Sequence, residues 1–377
     1  MENNNTMGLI FSGNPEVNLG ELMKVRSLAA VPVGGRYRIV DFVLSNMVNS
    51  GIVNIGITTG YKHRSLSDHI GSGRAWDMAR KENGIFLLSP PEGSEMNTKT
   101  PEGIDFINSA MSFLNRARQD YIFISDCNTI CNINLEEVMN FHFKKDADIT
   151  VVYTEVGELG PKELGHKIML DVEDDGAVSD IQIYPKRQKS NLSYMHLLFI
   201  KKDLLIDLAG DAIAHDKHSI SRDILLANIG KLRIFGYKFD GYKKTIDSIK
   251  SFFEFNLELL EPDTRHKLFG IDDERSIHTK VKDSVPTKYG PEAEVKNSVI
   301  ADGCTIEGKV ENCVIFRGVK IGKGSVVKDS IIMQKSRIME GCHVENAIFD
   351  KEVILCNGKR MIGQETYPLV IGKRTIV

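Results

Sequence analysis

A six-residue motif that recurs at a constant interval dominates the last quarter of the chain. Val-Glu-Asn-Cys-Val-Ile at 310–315 is echoed at 327–332 and 344–349, each copy 17 residues after the one before, and an earlier copy begins at Val295. A repeat of this length predicts a β-solenoid, in which each coil buries its apolar side chains only by stacking on its neighbours. An antiparallel sandwich is the alternative, but the return of the same residue types in register favours the solenoid.

Residues 7 to about 255 show a different pattern, in which apolar runs alternate with amphipathic segments. Runs rich in β-branched and aromatic residues, typical of buried strands, occupy 53–59, 121–125, 149–153 and 197–200. Helical spacing of apolar residues occupies 38–50, 103–117 and 135–143. This alternation predicts a mainly parallel sheet covered on both faces, with ligands beyond the carboxyl ends of its strands. The 13–18 loop and Asp126 would fall at that edge.

These patterns divide the chain into three predicted parts. We assign an α/β domain to 1–260, a polar linker to 261–290 and a β-helix domain to 291–377.

The net charge of −3 gives no reason to expect a nucleic-acid or membrane partner. The first residues lack a signal-peptide pattern, so we expect a cytoplasmic protein. Six cysteines without metal-binding spacing are expected to be buried reduced thiols.

The 13–18 loop has the frame of a phosphate-binding loop but unsuitable residues. It follows a predicted strand at 9–13 and precedes a segment at 34–42 that opens a helical pattern. A loop that cradles phosphate needs glycines, which let backbone N–H groups approach the anion, and a cation. Here Pro15 lacks an N–H donor and the Glu16 carboxylate would repel a phosphate.

Several segments resemble the glucose-1-phosphate adenylyltransferase family. The longest is Val-Pro-Val-Gly-Gly-Arg-Tyr-Arg-Ile-Val-Asp-Phe-Val-Leu-Ser-Asn at 31–46, and the segments 65–71 and 310–318 support it. The resemblance covers nearly the whole chain. It implies a Rossmann-like nucleotide-diphospho-sugar transferase domain, a C-terminal left-handed β-helix and tetrameric assembly. It also implies a reaction that joins glucose 1-phosphate to the α-phosphate of ATP and releases pyrophosphate, with Mg²⁺ held by two carboxylates.

The residues at the family's phosphate loop differ from the family pattern. Gly13 matches a loop glycine, whereas Asn14, Glu16 and Asn18 replace family residues, and Asn18 stands at the position of the arginine. Downstream, Leu28 stands where the family has a lysine. The loop therefore lacks the cations that would stabilise charge on the phosphates.

The other site positions are also altered. Asp126 matches the first metal-binding aspartate, and the second falls on Thr245, with Asp247 as an alternative if the register shifts by two residues. Tyr184 replaces a lysine that contacts the sugar phosphate in the family. One remaining carboxylate cannot position Mg²⁺ as two do.

Two arginines match the family's pocket for anionic activators. Arg26 and Arg38 coincide with arginines of that pocket, so the resemblance implies an effector-binding role, while Val25 stands where the family has a lysine. The alternative is that these arginines form ordinary salt bridges between helix and solenoid.

We therefore interpret the chain as a regulatory subunit that is non-catalytic or weakly catalytic by itself. The family includes such a second subunit, encoded beside the catalytic one in Gram-positive bacteria, and this sequence is similar to it. The expected partner is the catalytic subunit in a hetero-oligomer, expected to be a tetramer, and an uncapped β-helix end would invite subunit contact. The alternatives are an active enzyme that uses Asp126, Asp247 and Mg²⁺, and a sensor that binds a nucleotide or sugar phosphate without turnover.

Overall fold

The computed structural model describes residues 5–14, 17–60, 62–89, 103–270 and 275–377. Internal packing divides the chain into two compact units. The first, which we call the sheet unit, comprises 1–16, 43–61 and 71–243. The second, the solenoid unit, comprises 17–42, 62–70 and 244–377. This grouping differs from the predicted boundaries, which placed 17–42 in the α/β domain.

The first 270 residues hold the helices and the longer strands. The strands are β1 (Thr6–Phe11), β2 (Pro32–Val33), β3 (Tyr37–Arg38), β4 (Asn54–Thr58), β5 (Gly84–Leu88), β6 (Tyr121–Asp126), β7 (Thr129–Cys131), β8 (Ile149–Glu155), β9 (Ile168–Val172), β10 (Val178–Ile183), β11 (Leu192–Lys201), β12 (Ile234–Lys238) and β13 (Lys243–Thr245). The α-helices are α1 (Ile39–Asn49), α2 (Arg64–Ile70), α3 (Ile104–Arg116), α4 (Leu135–Lys144), α5 (Pro161–Leu164), α6 (Lys202–Ala214), α7 (Ile249–Glu258) and α8 (Pro262–Phe269). Short 3₁₀ turns lie at Gly20–Met23, Leu28–Ala30, Arg74–Trp76 and Leu226–Asn228, and a π-helical turn at Ile220–Leu225.

The core of the sheet unit is a nine-stranded sheet that contains every strand predicted from the apolar runs. Its main path runs β10-β9-β11-β6-β1-β4-β5, and β8 pairs with both β11 and β12. α3 packs against it through Ile104, Ile107, Ala110 and Leu114, which lie on one helical face and are fully buried.

The prediction of a mainly parallel sheet holds for only part of this sheet. β1, β4, β5 and β6 are parallel, whereas β11 runs antiparallel to β6, β8 and β9. Buried strands of either direction carry the same continuous apolar runs, so composition does not reveal strand direction. The sheet is therefore mixed.

The solenoid consists of three parallel five-stranded sheets, as the repeat predicts. The first sheet comprises β14 (Lys288–Tyr289), β17 (Thr305–Ile306), β20 (Lys320–Ile321), β23 (Arg337–Ile338) and β26 (Ile354–Leu355). The second comprises β15 (Glu294–Lys296), β18 (Lys309–Glu311), β21 (Val326–Lys328), β24 (His343–Glu345) and β27 (Arg360–Ile362). The third comprises β16 (Val299–Ile300), β19 (Val314–Ile315), β22 (Ile331–Ile332), β25 (Ala347–Phe349) and β28 (Leu369–Ile371).

A turn of the same conformation follows the second-sheet strand in the first four coils, where the motif recurs. Val295, the first residue of the earliest copy, pairs in line with Val310 and, through it, with the same residue of each later copy. The third residue of each motif has a positive φ, a conformation that Asn and Asp tolerate: Asn297 (38°), Asn312 (52°), Asp329 (44°) and Asn346 (48°). The Asn312 amide donates to Asp329 at 3.1 Å, so these side chains form a ladder along the solenoid.

The third sheet of the solenoid explains why 17–42 belongs to this unit. Its outward side chains Val314, Ile331 and Ile348 are fully buried although they lie outside the solenoid interior. Two contacts place residues 17–42 against this side of the solenoid: a Cβ on Gly35, which has φ +79°, would lie 3.6 Å from Val299, and Arg26 pairs with Asp350, which follows the third-sheet strand β25. An apolar outer face of this kind is stable only when it is covered.

The predicted linker and cysteines also differ in part from expectation. The interval 261–290 contains α8, which starts at Pro262 and is followed by Gly270 at φ +58°, and it contains β14. Proline at the first helical position and glycine after the last one are ordinary helix boundaries.

All six cysteines are free thiols and five are buried, but Cys356 is exposed. No helix in the described ranges is long and apolar enough to cross a membrane.

Candidate functional site

The carboxyl edge of the parallel strands brings together Gly13 and Asp126. Phe11 at the end of β1 lies in register with Asp126 at the end of β6, and the Cys127 N–H donates to the Phe11 carbonyl at 3.2 Å. Gly13 follows β1 by two residues, its φ is not in the left-handed region, and a Cβ there would meet nothing within 4 Å. The backbone at 13 therefore does not require glycine, whereas Asp126 is a buried carboxylate at a strand end.

His196 lies beside Asp126, and sequence reasoning missed it. It sits in β11 where the pairing with β8 shifts register, and its φ is +53°. Its Nδ1 lies 3.6 Å from the Asp126 Oδ2, and its ring lies 5.0 Å from the Tyr194 ring, centroid to centroid. A positive φ at a non-glycine residue is strained and often marks a functional position. Its only sequence signal is a lone histidine in an apolar run.

The donor set around Asp126 does not fit a resident Mg²⁺. Magnesium prefers an octahedron of carboxylate, phosphate and water oxygens, whereas Asp126 faces an imidazole. Within the described ranges no three side chains of His, Cys, Asp or Glu gather in a metal-binding group. Asp126 alone therefore does not form a site that would hold Mg²⁺ without ligands from a substrate.

Asn18 and Leu28, which stand at the predicted positions of the family's arginine and lysine, take part in local turns. Asn18 is exposed, and its Oδ1 accepts the Gly20 N–H at 2.8 Å, so its side chain closes a turn. Leu28 is fully buried within a 3₁₀ turn. Asn14 is half-buried, and Glu16 lies outside the described residues.

Neither position proposed for a second metal-binding carboxylate provides a carboxylate that is available to a metal ion. Thr245 is a half-buried neutral residue at the end of β13. The Asp247 Oδ1 accepts the Ser251 hydroxyl at 2.9 Å, next to the Ser248 cap of α7. Asp247 therefore helps to start a helix. The nearby Lys244 is paired with acids of α7, whose hydrogen bonds outweigh its burial and raise its pKa.

Tyr184 is likewise part of the scaffold. It is half-buried against the core of the sheet unit, and its N–H donates to the Lys167 carbonyl at 3.0 Å. Its φ of +53° places it at an irregular turn after β10. The phenol cannot supply the positive charge that the family lysine brings to a sugar phosphate.

Arg26 forms a buried ion pair with the solenoid. Its two terminal nitrogens donate to the two carboxylate oxygens of Asp350, each at 2.9 Å, and both side chains are almost completely buried. The pair is bidentate, the strongest geometry for a guanidinium and a carboxylate. For Arg26 the salt-bridge alternative is therefore the one observed, and its charge is compensated within the chain.

Arg38 is held by α2 and lies in a buried polar network. Its guanidinium donates to the Ser65 carbonyl at 2.6 Å and to the Ser65 hydroxyl at 2.9 Å, and its N–H donates to Asp41. The other Asp41 oxygen lies 2.6 Å from the Nε2 of His69, whose pKa is lowered by burial. Burial lowers the pKa of Arg38 to about 10, although Asp41 opposes the shift.

Lys351 extends this positive charge, and nothing in the sequence marks it. Burial lowers the pKa of Lys351, the neighbouring charges of Arg38 and Arg26 lower it as well, and together they bring it to about 7. The pKa of Lys282 is also lowered, first by burial and then by cations that include Arg38 and Arg317. Both lysines therefore have other cations near them in the solenoid unit, although burial is the largest cause of each shift. An anion of the phosphate class would offset the repulsion among these cations.

Two family models match the two patterns of the chain. A model described as nucleotidyl transferase matches 8–261, and one described as GlmU-like, C-terminal hexapeptide matches 283–367. The glycogen biosynthesis protein GlgD of Bacillus subtilis (strain 168) is 33% identical over 99% of this chain and 97% of its own length. A glucose-1-phosphate adenylyltransferase of Thermosipho africanus (strain TCF52B) is 36% identical over 86% of this chain and 78% of its own length. The chain belongs to the glucose-1-phosphate adenylyltransferase family.

Membership of this family explains the fold, but the predicted site residues differ from the family pattern. A GlgD of Geobacillus stearothermophilus is 37% identical over 86% of this chain and 83% of its own length. The α/β domain and the left-handed β-helix are those of the family. At the positions that the sequence analysis predicts for the family's site, however, Asn18, Leu28 and Tyr184 carry no charge, and Asp126 lies beside His196.

Proposed function

We propose that this chain is a non-catalytic or weakly catalytic regulatory subunit of glucose-1-phosphate adenylyltransferase in glycogen biosynthesis. Its role is to modulate the synthesis of ADP-glucose and pyrophosphate from ATP and glucose 1-phosphate by a catalytic relative. The observation that carries the proposal is the pairing of Asp126 with His196, 3.6 Å apart, at the one site position that keeps its carboxylate.

The chemistry of the reaction supports this reading. When the phosphate of glucose 1-phosphate attacks the α-phosphorus of ATP, negative charge builds on the departing pyrophosphate. Enzymes stabilise that charge with cations and metal ions, which together supply most of the rate enhancement. The neutral side chains of Asn18 and Leu28 cannot do this, and Leu28 is also fully buried. The chain alone is therefore expected to turn over slowly or not at all.

The regulatory part of the proposal requires a partner. A subunit changes the affinity or rate of another only if it contacts two states of that partner differently. The relatives named GlgD match most or all of this chain, and a relative named glucose-1-phosphate adenylyltransferase matches 86% of it. A hetero-oligomer, expected to be a tetramer, of this chain with a catalytic relative is the assembly that we propose.

The test is ADP-glucose synthesis by this chain alone, by a catalytic relative alone and by the mixture, with Mg²⁺ present. The proposal expects negligible activity of the chain alone and a changed rate, substrate affinity or activator response in the mixture. Asp126→Asn and Asp247→Asn serve as matched variants, because a regulatory effect survives both. Strong activity of the chain alone that Asp126→Asn abolishes would instead establish the active-enzyme alternative with a rebuilt site.

A second candidate function, binding of a nucleotide or sugar phosphate without turnover, is favoured by the cations around Lys351. The pKa values of Lys351 and Lys282 are lowered first by burial and then by neighbouring cations, and an anion bound there would offset the repulsion among those charges. Calorimetric titration with ATP, glucose 1-phosphate and fructose 1,6-bisphosphate tests it. Lys351→Met should abolish the binding heat, whereas Lys359→Met, an exposed lysine of the same unit, should leave it unchanged. Titrations without heat for all three would exclude this candidate.

A further inference from the structure

His196 has a backbone conformation that is unusual for its place in the fold. Among the described residues it is the only non-glycine residue with a positive φ, +53°, that lies within a β-strand, whereas the others lie outside the strands. Glycine adopts this conformation without strain, and a side chain there must be held by its surroundings. The chain therefore keeps an imidazole at this position at a conformational cost.

An irregularity of β11 produces this conformation. Between Tyr194 and Leu198 β11 advances by four residues. Its partner β8 advances by only two over the same stretch, from Tyr153 to Val151. The extra residues of β11 form a bulge, and bulges commonly redirect a side chain next to a binding site. The bulged stretch contains His196.

The other neighbour of β11, the strand β6, keeps a regular register and fixes what His196 faces. Leu197 pairs with Ser125 in this antiparallel pair, so the same register sets position 196 opposite position 126. The Cβ atoms of opposite residues in such a pair are about 5 Å apart. The His196 Nδ1 accordingly lies 3.6 Å from the Asp126 Oδ2.

This contact leaves little room for an ion at the carboxylate. The Asp126 side chain is 6% exposed, and its Oδ2 is buried. Mg²⁺ binds a carboxylate oxygen at about 2.1 Å within an octahedron, whose other oxygens then lie about 3–4 Å from that carboxylate oxygen. The His196 Nδ1 lies at that same distance from Oδ2. The imidazole therefore stands where part of the coordination shell of an ion would lie.

Tyr194 packs against the imidazole and helps to hold it. The two ring centroids are 5.0 Å apart with an angle of 33° between the ring planes, and Tyr194 is buried. Packing against a buried aromatic ring restricts the orientations of the imidazole. His196 is thus positioned by Tyr194 as well as by the bulge.

We propose that His196 keeps divalent cations away from Asp126 and so closes the site position that retains its carboxylate. The imidazole occupies the approach to Oδ2, and the bulge of β11 and the Tyr194 ring hold it there. The proposal rests on the proposed function, because it gives a reason why a chain of this family lacks turnover. It requires that removal of the imidazole alone makes the carboxylate available to a cation.

Binding of the Mn²⁺–ATP complex, followed by the water-proton relaxation that rises when the complex binds a protein, tests the proposal on the full chain. ATP supplies phosphate oxygens for the coordination shell that one carboxylate cannot fill. We expect His196→Gly to bind Mn²⁺–ATP at least about tenfold more tightly than wild type, because the carboxylate becomes a ligand. The addition of Asp126→Asn to His196→Gly should abolish this gain.

Two further variants separate this effect from changes in the backbone. Asp77→Gly replaces an almost fully exposed side chain at the same φ of +53°, so it should leave Mn²⁺–ATP binding unchanged. His196→Asn keeps a residue that tolerates a positive φ but withdraws the ring, so it should tighten binding as His196→Gly does. Thermal melts followed by circular dichroism show which variants fold, and one folded variant at 196 is enough for the test.

Either of two results would overturn the proposal. A wild-type chain whose Mn²⁺–ATP binding is weakened by Asp126→Asn already admits the cation beside His196. Folded variants at 196 that bind Mn²⁺–ATP no more tightly than wild type would show that the imidazole is not the obstacle. Failure of the proposed function is distinguishable from both, since it would appear as strong ADP-glucose synthesis by the wild-type chain.

Discussion

Arg26 and Asp350 lie 324 positions apart in the sequence and form a buried two-point ion pair. Both N–O distances are 2.9 Å, and the pair joins the N-terminal segment 17–42 to the residue that follows β25 of the third sheet. A buried ion pair contributes little net stability when both partners are present, because each partner loses its hydration. The loss of one partner is costly, since it leaves the other charge buried and alone. The pair therefore fixes which surface of the solenoid the segment covers.

Asp350→Ala is expected to destabilise the chain by about 3–5 kcal/mol, because it leaves the Arg26 guanidinium buried without its carboxylate. Urea unfolding followed by circular dichroism measures the loss. The double variant Arg26→Met with Asp350→Leu should lose much less, since no charge then remains buried. Equal losses in the single and double variants would show that packing, and not the uncompensated charge, dominates.

Stability is expected to depend on pH through Lys351. Its pKa is about 7 in the folded chain, below the ordinary value of 10.5 that it regains on unfolding. Below pH 7 both states bind the proton and the cost of burying the charge is present in full. Between pH 7 and 10.5 the unfolded state binds more protons, so stability rises with pH, by at most about 1.4 kcal/mol per unit.

Lys351→Met should remove that rise. Unfolding free energies from urea melts at pH 6, 8 and 10 should show the variant more stable than wild type at pH 6, with a gain that shrinks towards pH 10. Lys359→Met, an exposed lysine, is the control. A gain that is constant across the three pH values would contradict the lowered pKa.

Restoring the two cationic side chains that the family has at 18 and 28 is expected not to restore ADP-glucose synthesis. In Asn18→Arg with Leu28→Lys the loop still lacks family glycines and a second metal carboxylate, so ADP-glucose synthesis should remain at the wild-type level. Because Leu28 is fully buried, the lysine should also destabilise the solenoid unit by several kcal/mol. Asn18→Arg alone, at an exposed position, should be nearly neutral in a thermal melt. Substantial turnover by the double variant would refute our account of the site.

Two glycines of the sheet unit should respond in opposite directions to alanine. A Cβ on Gly56 in β4 would lie 2.7 Å from Phe113, so Gly56→Ala should cost about 1–3 kcal/mol through overpacking. Gly210 lies exposed within α6 with nothing within 4 Å of a Cβ, so Gly210→Ala should gain about 0.5–1 kcal/mol. Thermal or urea melts of the two variants give the comparison. A neutral Gly56→Ala would mean that Phe113 yields without cost.

The sequence predicted the elements of both patterns well, because each depends on local periodicity. The apolar runs at 121–125 and 149–153 became β6 and β8, and the helical spacing at 103–117 became α3. The strand direction of β11 was not predictable, since buried parallel and antiparallel strands have the same composition. The helix opening at 34–42 starts only at Ile39, after the residues from Gly34 have formed a turn and β3.

The sequence predicted which positions belong to the candidate site, but it did not predict the contacts that their side chains make. The strand pattern placed Gly13 and Asp126 at one edge, because parallel strands end at a common edge of the sheet. It gave no sign of His196, whose approach to Asp126 requires the irregular pairing of β11. Lys351 is an ordinary lysine in the sequence, and only burial beside Arg38 changes its pKa.

The sequence by itself determined the solenoid and its register, because each copy of the repeat pairs with the same residues of the next copy. The Asn and Asp residues at the third motif position adopt the turn wherever they recur. Only the tertiary structure decided that the segment 17–42 contacts the third-sheet side of the solenoid and that Asp350 compensates the charge of Arg26. These outcomes depend on contacts between residues distant in sequence, and local propensities do not encode such contacts.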